Sequence, residues 1–387
     1  MENRTKDRLI DAAFIIAILV LAMMARLQLL PLETTDFKFC LARWMDKIRE
    51  YGAWKSLGMR ISDYSPAYMY IMCLVSGIGN TLYALKGVSI FFDFVAGVTM
   101  FFLVSELTGS RRKGIAALAA TLLCPTVIFN SAWWCQCDII YVTFMLLSLL
   151  FIFKEKGVLA CLMLGIAFSF KVQAVFLLPF LVILWLKGKT VKFWHLLLVP
   201  AVFLVSLIPS WIAGRPLGDL LSVYFLQAGE YRYGTLHYPN FYEFLHENNV
   251  HWHHLRELGS FGLYFAFGVL GIFAYWAYFR KFRMTRQIMV TMALFSICLV
   301  LFTMPHMHER YGLVVDLLVI VYALQRPEKT PIALCYILVS LLSYIPFLNR
   351  ADALPSIWLA IAMLALNILV GRDLVRQINE NNCEEAI

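Results

Sequence analysis

Residues 66–80 read Pro66-Ala67-Tyr68-Met69-Tyr70-Ile71-Met72-Cys73-Leu74-Val75-Ser76-Gly77-Ile78-Gly79-Asn80. Whether this stretch crosses a membrane decides the fold, because one crossing more or fewer moves every later loop to the opposite side. Other apolar runs fall at 9–30, 83–107, 114–130, 138–153, 157–170, 172–186, 191–213, 259–279, 287–304, 311–325, 331–347 and 353–370. If 66–80 stays on one side, the basic residues Arg4, Lys6 and Arg8, Arg111-Arg112-Lys113, Lys154 and Lys156, and Lys187, Lys189 and Lys192 share the cytoplasmic face. Arg280, Lys281, Arg283 and Arg286, Arg326 and Lys329, and Arg372 and Arg376 join them there. If it crosses, all but the N-terminal tail face outward. Positive charge collects on the cytoplasmic side of inserted chains, so the sequence predicts about 12 crossings (13 if 66–80 crosses). Both termini are then cytoplasmic, and 66–80 is a re-entrant or interfacial segment.

Composition agrees with this class. Of 387 residues 61% are hydrophobic and 15% charged, with 30 Phe and 10 Trp; mean hydropathy is +0.73. Soluble domains have about 45–50% apolar and about 25% charged residues, so an ordinary soluble protein and a disordered chain are both excluded. At roughly 20 residues per crossing, a dozen crossings take on the order of 240, which leaves loops but no separate soluble domain. The expected fold class is all-α and polytopic, a single integral membrane domain over 1–387. It has a first outer loop at 31–65, a second at 214–258, and C-terminal helices over 259–387. The first apolar run is too long for a signal-peptide core and lacks a small-residue cleavage site, so it reads as a retained helix.

The net charge of +8 comes largely from cytoplasmic loops, so no nucleic-acid partner is implied. Nine cysteines are scattered, and Cys73, Cys124, Cys161, Cys298 and Cys335 sit inside apolar runs as small hydrophobes, with no disulfide framework. There is no internal repeat and no low-complexity tract.

Polar residues gather on the outer face. The first loop carries Asp36 ahead of an amphipathic stretch, 37–54, that places Phe37, Leu41, Trp44, Ile48 and Tyr51 on one helical side. Asp63-Tyr64-Ser65-Pro66 follows. Asp36 suits an N-cap carboxylate and Asp63 a turn initiator, as well as chemistry. Trp133-Trp134-Cys135-Gln136-Cys137-Asp138 marks a helix boundary, with Asp138 a second possible cap; a lone C-x-C is a weak metal pattern. Lys171 suits either a snorkelling anchor or an anion partner. His306-Met307-His308-Glu309-Arg310 abuts two apolar helices, and it is not the H-E-x-x-H pattern. Arg310 is a forked, permanent cation fitted to phosphate. The second loop holds His237, His246, His251, His253 and His254 with Tyr231, Tyr233, Tyr238, Phe241, Tyr242 and Trp252, and reads as sugar-stacking or interfacial surface. Asp93 lies inside an apolar run, with Lys86 or a neighbouring helix as its expected partner.

Taken in order, Asp36-Phe37, Asp63-Tyr64-Ser65-Pro66, Trp134-Cys135-Gln136-Cys137-Asp138, Lys171 and His306-Met307-His308-Glu309-Arg310 resemble a known family. They look like the polyprenyl-phosphate-sugar-dependent glycosyltransferases of the GT-C class, nearest the dolichyl-phosphate-glucose glucosyltransferases and bacterial relatives, with D-F, D-Y-P-P, W-G-Q-x-D-like and H-x-H-E-[KR] motifs. Ser65 stands for the first Pro of D-Y-P-P and Cys135 for the Gly of W-G-Q. Tyr238-Pro239-Asn240-Phe241-Tyr242 faintly resembles an Asn-aromatic element of the family's second long outer loop.

The resemblance implies an inverting transfer from a polyprenyl-phosphate sugar donor to a glycan or glycolipid acceptor, on the outer side of a bacterial plasma membrane. Asp36 is then the expected base and Asp63 the second choice. Lys171, Arg310, His306 and His308 would hold the donor phosphate, with Tyr64, Trp134, Gln136, Asp138 and Glu309 shaping the pocket. No cofactor is expected; a divalent metal at Asp138 is the minority reading. A lipid-linked saccharide flippase or transporter needs no acids in an outer amphipathic loop. A polysaccharide polymerase or ligase shares the outer Arg and His, and is opposed by the same acids.

Overall fold

The computed structural model describes residues 2–228, 233–245, 255–349 and 354–382. His246, His251, His253, His254, Tyr231 and Trp252 lie outside the described residues. Along the chain run helices α1 (Glu2–Leu29), α2 (Ala42–Tyr51), α3 (Ala53–Leu57), α4 (Pro66–Val75), α5 (Thr81–Thr108), α6 (Arg111–Leu122) and α7 (Pro125–Ile128). Next come α8 (Asp138–Phe153), α9 (Gly157–Phe170), α10 (Leu178–Leu186), α11 (Phe193–Leu196), α12 (Leu198–Ile212), α13 (Leu217–Leu221) and α14 (Val223–Ala228). The last are α15 (Leu255–Phe279), α16 (Arg286–Thr303), α17 (Leu313–Gln325), α18 (Thr330–Asn349) and α19 (Ser356–Glu380). A two-stranded parallel ribbon pairs β1 (Thr235–Leu236) with β2 (Met307–His308).

The chain is an all-helical integral membrane protein. Among the described residues seven helices are long and apolar enough to cross, or eight when 111–122 and 125–133, bent by 48°, are taken as one span. The bend has a local cause: Pro125 lacks an N–H and pushes Cys124 out of the helical region, to ψ 122°. The apolar run at 66–80 becomes α4, only ten residues long. The start of α5 lies back at the end of α1, where Lys86 Nζ donates to the carbonyls of Leu29, Leu30 and Leu32 at 2.6–3.0 Å.

Two compact units form. Unit 1 comprises 1–172 and 197–227, and unit 2 comprises 173–196 and 228–387. In unit 1, Phe37, Leu41, Met45 and Ile48 pack with Tyr68, Met69 and Met72 of α4 and Leu85 of α5. The amphipathic stretch is therefore present but differs from the expected single helix. It opens with a π-helical turn, Phe37–Leu41, and is cut at Gly52, whose φ of 83° favours glycine. The wider i to i+5 turn shifts the buried side, so Met45 is fully enclosed while Trp44 is partly covered and Tyr51 is exposed.

Candidate active site

In unit 1 the polar residues meet on the segment 130–138, between the bent pair and α8. It opens within a second π-helical turn, Phe129–Trp133. The main chain then doubles back: Trp134 N donates to Phe129 O at 2.8 Å and Gln136 N to Asn130 O at 2.9 Å. This reversal puts Cys135 at φ 65°, a left-handed conformation that glycine adopts without penalty. The family pattern has Gly there, so the departure is explained by geometry: a cysteine is held in a backbone built for glycine, at about 1–3 kcal/mol. The other departure is gentler. Ser65 keeps a proline-like φ of −57°, and its hydroxyl donates to the carbonyl of Ser169 on α9.

Asp36 Oδ2 accepts from Trp134 Nε1 at 2.9 Å and Gln136 Nε2 at 2.7 Å. The residue itself is helical and makes no capping bond with its side chain; Thr34 Oγ1 receives Phe37 N instead, at 3.5 Å. Tyr64 OH donates to Gln136 Oε1 at 3.1 Å. The Tyr64 ring packs edge-on to Trp44 and Tyr68, at 5.3 Å each, and carries Lys171 Nζ 5.0 Å from its centroid. Lys171 is paired with Asp138, both buried, and Asn130 Nδ2 donates to the other Asp138 oxygen at 3.1 Å. Asp138 thus holds a cation rather than capping α8. One connected surface runs from Asp36 through Gln136 and Tyr64 to Lys171.

Asp63 is not drawn in. It is exposed, and its carbonyl, not its carboxylate, receives Gln227 Nε2.

Unit 2 presents the other expected residues on the segment 304–312. Its main chain is gripped by the second loop. Asn240 Nδ2 donates to Met304 O at 3.1 Å, Tyr242 OH to Thr303 O at 2.9 Å, and His306 N to Gly234 O at 2.8 Å. The Asn-aromatic element 238–242 therefore has a structural task. Glu309 and Arg310 are buried, with Arg310 Cζ 5.7 Å from the Tyr311 ring centroid and His308 Nδ1 3.6 Å from Glu309 Oε2. His306 hydrogen-bonds the Tyr233 carbonyl through Nδ1. Burial pushes its imidazole below the usual histidine range, against a smaller upward pull from that carbonyl. Burial therefore disfavours its charged form.

The metal reading gains nothing from this donor set. Asp138 is taken by Lys171 and Asn130, and among the described residues no three His, Cys, Asp or Glu converge. Burial also pushes the Cys135 thiol up to about 12, the wrong direction for a thiolate ligand.

Sequence reasoning missed Asn130, Ser89, Ser131 and Arg26. Ser89 Oγ donates to Gln136 O at 2.7 Å, and Asp93 pairs with Arg26 at 2.7 Å. Lys86, one of the two expected partners of Asp93, is engaged with α1 carbonyls instead. The signal was there: Arg26 is an ionisable residue inside an apolar run.

Residues 53–187, about a third of the chain, match the family model described as Alpha-(1->6)-mannopyranosyltransferase, N-terminal domain. That stretch includes Asp63, Tyr64, all of 130–138 and Lys171, and leaves out Asp36 and 304–312. A crystal structure of ArnT from Cupriavidus metallidurans bound to undecaprenyl phosphate is similar in fold over 94% of this chain and 78% of that one, with a TM-score of 0.57 and 14% identity. No curated protein matches the chain. The comparisons bear out the reading as a GT-C fold and a sugar-transferring membrane enzyme.

Proposed function

We propose that this GT-C glycosyltransferase moves one mannosyl residue from a polyprenyl-phosphate carrier to a hydroxyl of a lipid-linked or cell-surface glycan, inverting the anomeric carbon, on the outer face of the membrane. The observation that carries the reading is Asp36, a half-buried carboxylate whose plane is fixed by two N–H donors on one oxygen. The acceptor O–H gives its proton to this carboxylate as its oxygen bonds to C1, and the bond from C1 to the phosphate oxygen breaks with its electron pair on phosphate. A β-linked donor then yields an α bond, in keeping with the name of the matched family. The leaving group gains negative charge, and fixed cations lower that barrier. Arg310 suits the phosphate oxygens by its fork. Lys171 is half neutralised by Asp138 and tunes the site from beside Tyr64. The undecaprenyl phosphate bound in the ArnT structure supports the carrier chemistry.

The same reading takes the chain across twelve times with both termini cytoplasmic. This reading counts the seven long helices, the bent pair, the shorter apolar helices at 138–153, 157–170 and 172–186, and the helix at 313–325 as crossings. The return of α5 to the end of α1 supports keeping 66–80 on one side.

The test is incubation of purified protein with polyprenyl phosphates carrying mannose, glucose or another sugar, following free polyprenyl phosphate. Release from the mannosyl donor that depends on an added glycan acceptor is expected. Release from another donor alone replaces the sugar; release from none overturns the reading.

A further inference from the structure

Helix α5 carries the buried polar side chains Lys86, Ser89 and Asp93 in its first half, at spacings of three and four residues that place them on one helical side. Each reaches a segment that bears the site. Lys86 takes the carbonyls of Leu29, Leu30 and Leu32, at and just past the end of α1. Ser89 holds Gln136 O. Asp93 Oδ2 accepts from Arg26 Nε on α1 at 2.7 Å and from Ser131 Oγ in the second π-helical turn at 2.5 Å. Arg26 in turn donates from Nη1 to Ala22 O and Leu122 O, 2.9 Å each. The end of α1 leads directly to Asp36, while 131–136 carries Trp134 and Gln136, the two donors that meet it.

An ion pair removed entirely from solvent is expensive to build, and apolar side chains would pack these helices as well or better. Ionisable groups at membrane depth are instead expected to serve function. The two hydrogen bonds on Asp36 need their donors placed to within tenths of an ångström, and they join segments about a hundred residues apart.

We propose that the Lys86–Ser89–Asp93 side of α5, with Arg26, is a positioning element for the transfer: it sets the end of α1 against 131–136 so that Trp134 and Gln136 aim Asp36. None of these residues is assigned contact with substrate. The proposal rests on the reading of Asp36 as the base.

Slack in such an arrangement alters the geometry of attack more than the hold on the donor, so it shows in kcat. Ser89→Ala and Ser131→Ala each delete one hydroxyl and leave the ion pair intact. The double variant is expected to lose at least tenfold in kcat, with donor KM within twofold of wild type and a lower melting point, because two buried acceptors lose a hydroxyl donor. Ser131→Thr should restore the rate. In a Trp134→Phe/Gln136→Leu background, where both bonds to Asp36 are already cut, Ser131→Ala should change kcat by less than twofold.

A readout independent of activity is the alkylation rate of Cys135, buried between Trp134 and Gln136, mapped by mass spectrometry after N-ethylmaleimide. It should rise at least tenfold in the double variant. If the double variant does not fold, the two single variants carry both readouts. Wild-type kcat in the variants, an equal loss in the Trp134→Phe/Gln136→Leu background, or an unchanged Cys135 rate overturns the proposal. Wild-type protein that releases no polyprenyl phosphate overturns the function instead, and the Cys135 rate still decides the positioning.

Discussion

The segments 130–138 and 304–312 are both short turns between apolar helices, and they differ in the balance of side-chain and main-chain bonds described for them. In the first, Asn130, Ser131, Trp134, Gln136 and Asp138 all engage neighbours through their side chains. In the second, neighbours grip the main chain: the carbonyls of Thr303 and Met304 and the amide of His306. A segment held by its side chains ties chemistry to stability, so substitutions there change both. A segment held by its backbone lets a side chain change with the scaffold intact.

The largest contrast is expected at the two cations. Lys171→Ala takes the charge partner from buried Asp138 and should lower unfolding stability by about 3–5 kcal/mol, with weaker donor binding alongside. Arg310→Lys should leave the melting point almost unchanged and reduce kcat by about tenfold, more than it raises donor KM, because a point charge replaces a fork. Thermal melts and steady-state kinetics in detergent measure both. A melting-point loss in Arg310→Lys equal to that in Lys171→Ala would break the comparison.

The smallest expected effect lies at His306. Its folded-state pKa is depressed, so the unfolded chain, at about 6.5, takes up a proton first. The stability it contributes is complete above about pH 6.5 and is lost as pH falls through the lower folded value. The melting point should slip slightly as pH falls below about 6.5, and His306→Gln should flatten that slip. A variant as steep as wild type would show that another group titrates.

Much of the fold was legible because hydropathy registers local runs. The run at 138–153 became Asp138–Phe153 and that at 157–170 became Gly157–Phe170; 83–107 became Thr81–Thr108. The site was legible as a set of residue types, since Asp36, Tyr64, Trp134, Gln136, Asp138 and Lys171 do converge. Their partnerships were not. A cap reading of Asp36 or Asp138 follows from local sequence, whereas the actual partners come from packing about a hundred residues away in one case and 33 in the other. The π-helical turns at 37–41 and 129–133, which flank the bond from Trp134 to Asp36, have no sequence signature in composition or spacing. Arg26 was hidden at the end of an apolar run, and Asp63, conspicuous in its motif, stayed in solvent.

The central claim is that Asp36, and not Asp63, takes the acceptor proton. It is tested most directly by measuring kcat for Asp36→Asn and Asp63→Asn beside wild type, on the same polyprenyl-phosphate donor, with melting points alongside. Asp36→Asn should fold normally and lose at least about a hundredfold, the lower range for a positioned general base, while Asp63→Asn stays within a few fold of wild type. A near-normal rate in Asp36→Asn, whether or not Asp63→Asn is inactive, would contradict it.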